Sequence, residues 1–244
     1  MGKLSALMVV FLVVGMVAGC VYPAQIASGV VASGRAATVE EDYAGFDRVE
    51  VGSAFVADIK QSDKYSVVVT VDENLKQYLD VSVQGDTLRV RFKPASNINI
   101  GGVRPRVVIT MPAIKGLELN GASRGTVGGF ESDADFDLEI SGASSLEGQM
   151  ATGDIRMRLS GASTATLEGQ GGNLDLEASG ASRANLGGFP VADAKVEVSG
   201  ASRATINASG RLDGEASGAS RLSYKGNPTL GSLNSSGAST IAPE

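Results

Sequence analysis

The stretch AKVEVSGASRATI, residues 194–206, contains two short alternating segments on either side of the tetrapeptide S-G-A-S. Before the tetrapeptide, apolar Val196 and Val198 alternate with charged residues, and after it Ala204 and Ile206 alternate with polar ones. Side chains of a β-strand point alternately to its two faces. The stretch therefore predicts two strands, each with one buried face, joined by a turn of small residues.

The same arrangement recurs along the second half of the chain. The tetrapeptide occurs seven times, once as N-G-A-S, at intervals of about 19 residues, and a fixed period near 20 residues is typical of solenoid proteins. The glycines of the seven copies are Gly121, Gly142, Gly161, Gly180, Gly200, Gly218 and Gly237.

A coil of about 19 residues cannot bury its own apolar face, whereas stacked coils share a continuous core. The sequence therefore predicts an all-β fold, a β-helix or β-solenoid of about seven coils over residues 116–244. The small residues of the tetrapeptide suit a corner where stacked backbones approach closely, because glycine tolerates unusual dihedral angles and serine hydroxyls can bond to neighbouring backbone.

The residues before the repeats have a different pattern. Residues 46–115 contain several runs rich in Val, Ile and Thr, which predict an N-terminal antiparallel or mixed β region that caps the solenoid. Gly85-Asp86 predicts a hairpin turn, and residues 72–79 suit one or two helical turns. Together the two regions form one continuous head, residues 46–244.

The first residues predict export and attachment to a membrane. Residues 1–19 combine Lys3 with a short apolar run that ends in small residues, which is typical of a signal peptide. Val17-Ala18-Gly19-Cys20 resembles the lipobox of prokaryotic lipoproteins, and this resemblance implies cleavage before Cys20 and lipidation of its sulfur. Residues 20–45 are then a lipid anchor and flexible tether, and the location is the cell envelope, outside the cytoplasm.

Composition excludes several classes of function. The chain has no histidine, which removes every catalytic site that needs an imidazole base, and its single cysteine makes a zinc or copper site untenable. The net charge of −6 disfavours a nucleic-acid partner. No cofactor is predicted, and no metal site is assigned, although Asp135, Asp154 and Asp193 share a position that suits either turns or a row of calcium ligands.

One column of charged residues stands out as a candidate ligand site. The residue that follows the tetrapeptide is arginine in four copies. Stacking of the coils would bring like charges about 5 Å apart, so the column needs solvent, counter-charges or an anionic ligand. Glu177, Glu197 and Glu215 are expected to offset it across the corner. The candidate ladder consists of Arg124, Arg183, Arg203 and Arg221.

Three further segments, in their order, resemble the head GIN domain family of auto-transporter adhesins. They are FDRVEVGSAFVADIKQSDKYSVVVTVDENL from residue 46, GDTLRVRF from residue 85 and VVITMPAIKGLELNGAS from residue 107, followed by the repeats and YKGNP at 224–228. The resemblance covers roughly residues 46–240. It implies a β-helix-like domain of secreted or lipid-anchored envelope proteins, and it implies no catalytic residue.

Three functions remain open at this point. The first is a non-catalytic, adhesin-like binding module for a surface glycan or another polyanion. The second is a structural envelope protein that self-associates into a homo-oligomer. The third is a carbohydrate-active enzyme, a polysaccharide lyase or glycosidase, for which carboxylates are plentiful but aromatic sugar platforms are few.

Overall fold

The structure, a computed structural model, describes residues 29–94, 98–99 and 104–244. Apart from one 3-10 helix at Glu73–Tyr78, the regular elements of these residues are β-strands. The predictions for the signal peptide and Cys20 fall outside the described residues. The strands before the repeats are β1 (Val30–Val31), β2 (Ala36–Glu41), β3 (Arg48–Val51), β4 (Val56–Gln61), β5 (Ser66–Asp72), β6 (Leu79–Gln84), β7 (Thr87–Phe92), β8 (Ile98–Asn99) and β9 (Arg106–Met111).

Each tetrapeptide joins a strand of one sheet to a strand of a second sheet, as the alternation predicts. We call the sheet whose strands lead into the turns the entry sheet, and the other the exit sheet. The entry strands are β10 (Gly116–Leu119), β12 (Phe136–Ile140), β14 (Ile155–Leu159), β16 (Leu174–Ala178), β18 (Ala194–Val198), β20 (Arg211–Ala216) and β22 (Thr229–Ser235). The exit strands are β11 (Arg124–Glu131), β13 (Ser145–Ala151), β15 (Thr164–Gln170), β17 (Arg183–Val191), β19 (Arg203–Ala208), β21 (Arg221–Lys225) and β23 (Thr240–Pro243).

Within each sheet of the repeat region, every strand pairs in parallel with the strand one coil further along. The inner faces of the two sheets meet in a single apolar core. In the coil of β18 and β19, for example, Val196, Val198, Ala204 and Ile206 are all at most 2% exposed. The predicted β-solenoid is confirmed.

The turns stack as closely as the strands do, which explains their composition. The backbone N–H of Ala201 donates to the carbonyl oxygen of Gly180 at 2.7 Å, and the same bond recurs from coil to coil. Gly200 has a φ of +71°, and a Cβ atom there would lie 2.5 Å from that carbonyl oxygen. Only glycine satisfies both the dihedral angle and the close approach.

The last serine of the tetrapeptide is buried in the first six copies. Ser182 is 2% exposed and donates its hydroxyl hydrogen to the carbonyl oxygen of Ser179 at 2.6 Å, and Ser163 does the same to Ser160 at 2.7 Å. A buried hydroxyl is costly unless it is hydrogen-bonded. The bond within the turn therefore allows a polar side chain at a position that the core encloses, and the predicted role of the tetrapeptide as a corner is confirmed.

The opposite corner of the coils contains a second ladder. Oδ1 of Asp135 accepts the N–H of Asp154 at 3.1 Å, Oδ1 of Asp154 accepts the N–H of Asn173 at 2.8 Å, and Oδ1 of Asp193 accepts the N–H of Arg211 at 2.7 Å. These carboxylates thus bond to backbone of the next coil. Among the described residues there is no group of three side chains that could hold a metal ion.

The N-terminal strands extend both sheets of the solenoid at one end, and their order in the sheets differs from their order along the chain. Strands β3 and β4 lie directly beside β10 and β11, and β7 and β9 lie beyond them, although β7 and β9 come later in the chain. The turn between β3 and β4 replaces glycine with Ser53 and Ala54 at positive φ. Strands β5 and β6 add antiparallel pairs, so the predicted mixed β region is confirmed.

Two local predictions in this region are also confirmed, and one expectation is not met. Gly85-Asp86 forms the two-residue loop between β6 and β7, and the 3-10 helix lies within residues 72–79. Residues 36–41, which were expected to belong to the flexible tether, instead form β2, paired antiparallel with β5. Their small side chains and single valine give little periodicity, so the sequence did not reveal a strand that depends on its partner.

We predict that Gly200→Ala lowers the free energy of unfolding by about 3 kcal/mol, because the new Cβ meets both a positive φ and the backbone of the preceding coil. Gly45→Ala is the matched control, because Gly45 has a φ of +79° with no atom within 4 Å of the new Cβ. This control variant should lose only about 1 kcal/mol. Urea unfolding followed by circular dichroism measures both, and equal losses would contradict the role of close approach.

Asp154→Ala is expected to destabilise the solenoid by about 1 kcal/mol, because the N–H of Asn173 loses its acceptor. Asp154→Asn should retain most of the stability, since Asn173 in the same column already accepts such a bond with its amide oxygen. The control is Asp133→Ala, an exposed residue of the preceding corner. A calcium role would instead appear as a chelator-sensitive unfolding midpoint that Asp154→Asn abolishes.

Candidate functional site

The structure brings three of the four predicted arginines together on the outer face of the exit sheet. Arg183, Arg203 and Arg221 stand opposite one another in the register of β17, β19 and β21. All three are exposed. Neighbouring strands lie about 4.8 Å apart, so the three side chains form a column about 10 Å long. We call this set the arginine column.

The fourth arginine lies in the same register but stands apart. Arg124 on β11 is separated from Arg183 by Ser145 and Thr164 on the two intervening strands. It is exposed and its strand neighbour on the other side is Val56. The predicted ladder of four is therefore three adjacent cations with one outlying cation.

The glutamates expected to offset the arginines lie on the other face of the solenoid. Glu177 and Glu197 pair with entry-sheet cations, Arg158 at 3.6 Å and Lys195 at 2.9 Å. Within the described part of the chain, no carboxylate oxygen lies within 4 Å of a guanidinium nitrogen of the arginine column. Outward side chains of two packed sheets point in opposite directions, so the corner does not bring these groups together.

The unpaired charges repel one another. Two unit charges about 5 Å apart in water interact by about 0.8 kcal/mol, and Arg203 has such a neighbour on both sides. An anion that spans the column would relieve this repulsion and would meet guanidinium groups with several free N–H donors. The arrangement is thus suited to a ligand with several negative charges.

A second column runs beside the arginines and was not identified as part of a site from the sequence. Asn185, Thr205 and Ser223 are opposite one another two residues further along β17, β19 and β21. Their amide and hydroxyl groups donate and accept hydrogen bonds. The sequence marked these positions as polar, but only the register shows that they form one polar column next to the charges.

The outer face of the entry sheet has the opposite character. A shallow groove of about 370 Å³ runs along it, lined by Glu139, Arg158, Glu177, Glu197 and Glu215 together with serines of the turns. A second outward column of the entry sheet, which contains Asp175, Lys195 and Asp213, lies two residues before the glutamates. In this column the hydrogen bond to Glu197 raises the pKa of Lys195. The hydrogen bond from Arg211, aided by the N–H of Ser232, lowers the pKa of Asp213 to about 2.

Among the described residues, no helix is both long enough and apolar enough to cross a membrane.

Solved structures share the architecture at low sequence identity. A putative adhesin from Bacteroides fragilis is 21% identical with a TM-score of 0.82, covering 88% of this chain and 100% of its own. A putative adhesin from Parabacteroides merdae is 17% identical with a TM-score of 0.68, covering 88% and 99%. A putative lipid binding protein from Parabacteroides distasonis is 21% identical with a TM-score of 0.68, also covering 88% and 99%. These likenesses concern the fold.

The sequence itself decides the family. No curated protein matches the chain. The family described as "Putative auto-transporter adhesin, head GIN domain" matches residues 45–228, which include the N-terminal β region and most of the repeats. That match extends over most of the chain and agrees with the resemblance of the motifs and with the observed solenoid. The chain therefore belongs to the head GIN domain family of adhesin-like proteins.

Proposed function

We propose that the protein is a non-catalytic, adhesin-like module of the cell envelope whose exit sheet binds a polyanion, such as an acidic glycan. The observation that carries the proposal is the arginine column, three exposed arginines in register without an ion-pair partner among the described residues. Membership of an adhesin family supports a binding role and a surface location.

The ligand that fits best is an extended polymer with repeated negative charges. The cations recur at the strand spacing of about 4.8 Å. Because they lie on a sheet and not on a loop, binding does not require the backbone that carries them to become ordered. The neighbouring column of Asn185, Thr205 and Ser223 offers hydrogen bonds to hydroxyl groups of a sugar chain. A single small anion would engage only part of this surface.

The residues near the arginine column favour binding without catalysis. Strands β17, β19 and β21 contain four cationic residues and no carboxylate. Glycoside hydrolysis needs two carboxyl groups that flank the scissile bond, and these three strands supply neither. The chain also lacks histidine, the commonest general base.

The proposal includes lipid anchoring through Cys20. The support is the sequence Val17-Ala18-Gly19-Cys20 at the end of a short apolar run. A lipid on Cys20 would hold the solenoid at a membrane surface, with the residues between Cys20 and the first paired strands as the connection. Several acyl chains anchor a protein stably, since each buried methylene contributes about 0.8 kcal/mol.

The test of binding uses residues 21–244, the predicted mature chain without its lipidated residue. We expect saturable binding to an immobilised acidic polysaccharide, measured by biolayer interferometry, with affinity that falls as salt rises. Replacing Arg183, Arg203 and Arg221 by alanine should reduce the affinity at least tenfold. Lys64, Lys76 and Lys93, exposed cations of the N-terminal region, provide the matched control when replaced by alanine.

The control triple variant changes net charge by the same amount and should bind as the unmodified protein does. A loss of binding shared by both triple variants would show that overall charge matters rather than the column. Unchanged binding by the arginine variant would remove the exit sheet from the proposed function.

Anchoring is tested separately in the full-length chain. We expect the protein to partition into the detergent phase of Triton X-114 and Cys20→Ser to move it to the aqueous phase, because the sulfur that carries the lipid is gone. Metabolic labelling with a palmitate analogue should mark the unmodified protein alone. Detergent partitioning that survives the substitution would exclude a lipid on Cys20.

A further inference from the structure

The two outer faces of the solenoid carry columns of opposite charge at the same heights. Each of three successive coils contributes a glutamate to the entry sheet and, after its turn, an arginine to the exit sheet. The glutamates are exposed, as the arginines are. The three coils supply the pairs Glu177 and Arg183, Glu197 and Arg203, and Glu215 and Arg221.

The difference in charge extends over the whole of both faces in these coils. Exit strands β17, β19 and β21 hold four cationic side chains and no carboxylate. Entry strands β16, β18 and β20 hold five carboxylates and two cationic side chains. The three coils nearer the N-terminus lack this contrast, because Glu147 and Glu168 lie on their exit strands and Arg156 and Arg158 on an entry strand.

We propose that these three coils form a lateral docking surface for a second copy of this chain, with the arginine column of one copy against the glutamate column of the next. The inference goes beyond polyanion binding and does not depend on it. Its occupant is identified by charge complementarity and by the spacing of the charges, which is identical in the two columns because both follow the same stack of coils.

The geometry of the coil puts the two columns in line. Both lie next to the S-G-A-S turns, since the glutamate is two residues before each turn and the arginine directly follows it. A second copy moved sideways, without rotation, therefore presents Glu177 to Arg183, and the next two coils repeat the match. Three ion pairs between copies form at once, and Glu177 and Glu197 then share their charge with Arg158 and Lys195 of their own sheet.

A contact of this kind does not close on itself. The two surfaces are different, so the interface is heterologous, and a pure translation adds copies in a row. An exposed ion pair contributes about 0.2–1 kcal/mol and is screened by salt, so one contact of three pairs is weak. Association is then expected at low ionic strength or where the copies are concentrated side by side.

Another arrangement between copies is pairing of the open strand edges at the last coil. Strands β22 and β23 have no partner on their outer side among the described residues, and Leu230 on β22 is 50% exposed. Such end-to-end pairing is formed by backbone hydrogen bonds and apolar contacts, so it would not respond to charges on the faces. This difference separates the two arrangements in a single experiment.

The experiment is a charge exchange, measured by sedimentation velocity of residues 21–244 at low and high salt. One variant replaces Arg183, Arg203 and Arg221 by glutamate, and the other replaces Glu177, Glu197 and Glu215 by arginine. Each variant alone presents like charges on both faces and should sediment as a monomer. Their equimolar mixture should restore the concentration-dependent increase in sedimentation coefficient that the unmodified protein shows at low salt.

Controls separate this surface from general charge effects and from ligand binding. The variant Lys64→Glu, Lys76→Glu, Lys93→Glu changes net charge as the first variant does and should associate like the unmodified protein. The variant Glu177→Gln, Glu197→Gln, Glu215→Gln should lose association yet retain polyanion binding, because it leaves the arginine column intact.

Three results would overturn the inference. They are a monomeric unmodified protein at low salt and high concentration, association that persists in either single charge-reversed variant, or a mixture that stays monomeric while both variants keep the circular dichroism of the unmodified protein. Persistence at high salt in all variants would indicate the strand-edge contact instead.

Discussion

The close approach of stacked backbones at the S-G-A-S turn constrains the rest of this structure. The N–H of Ala201 lies 2.7 Å from the carbonyl oxygen of Gly180, and this contact recurs along the stack. The glycine of this turn has a positive φ in all seven copies, and in five of them a Cβ atom would also lie less than 3.0 Å from the carbonyl oxygen of the preceding turn. Each turn thereby fixes the height and the register of the two strands it joins. The buried serine beside it completes the turn with a hydroxyl bond, so the corner needs no bulky side chain.

The register of the strands places equivalent residues of successive repeats next to one another, so the repeat in the sequence appears as columns on the surface. Residues that share a position in the repeat become neighbours about 4.8 Å apart, however different their roles. The inner positions give the apolar core, and the opposite corner gives a ladder in which a carboxylate or amide of one coil accepts an N–H of the next. The outer positions form columns on the surface. Residues of like charge at equivalent outer positions therefore stay next to one another in the folded protein.

Those columns give the two faces separate chemistry. The exit sheet presents three arginines that repel one another, and the entry sheet presents glutamates that are partly paired with Arg158 and Lys195. The two proposed sources of counter-charge for these unpaired cations are an anionic polymer and a second copy of the chain. Contact between copies requires the glutamates of the entry sheet, whereas binding of an anionic polymer does not. Family membership agrees with a surface that recognises rather than transforms its partner.

The sequence by itself determined the solenoid, the two strands of each coil, the corner role of the tetrapeptide and the alignment of the arginines, because a turn that recurs about every 19 residues aligns the residues next to it in successive coils. It did not reveal β2, whose few apolar residues acquire a strand conformation only from pairing with β5. Nor did it give the order of β3, β7 and β10, which depends on long-range pairing. The tertiary structure alone decided that Glu177 and Arg183 face opposite ways, because the two sheets pack through their inner faces and separate charges that the chain places six residues apart.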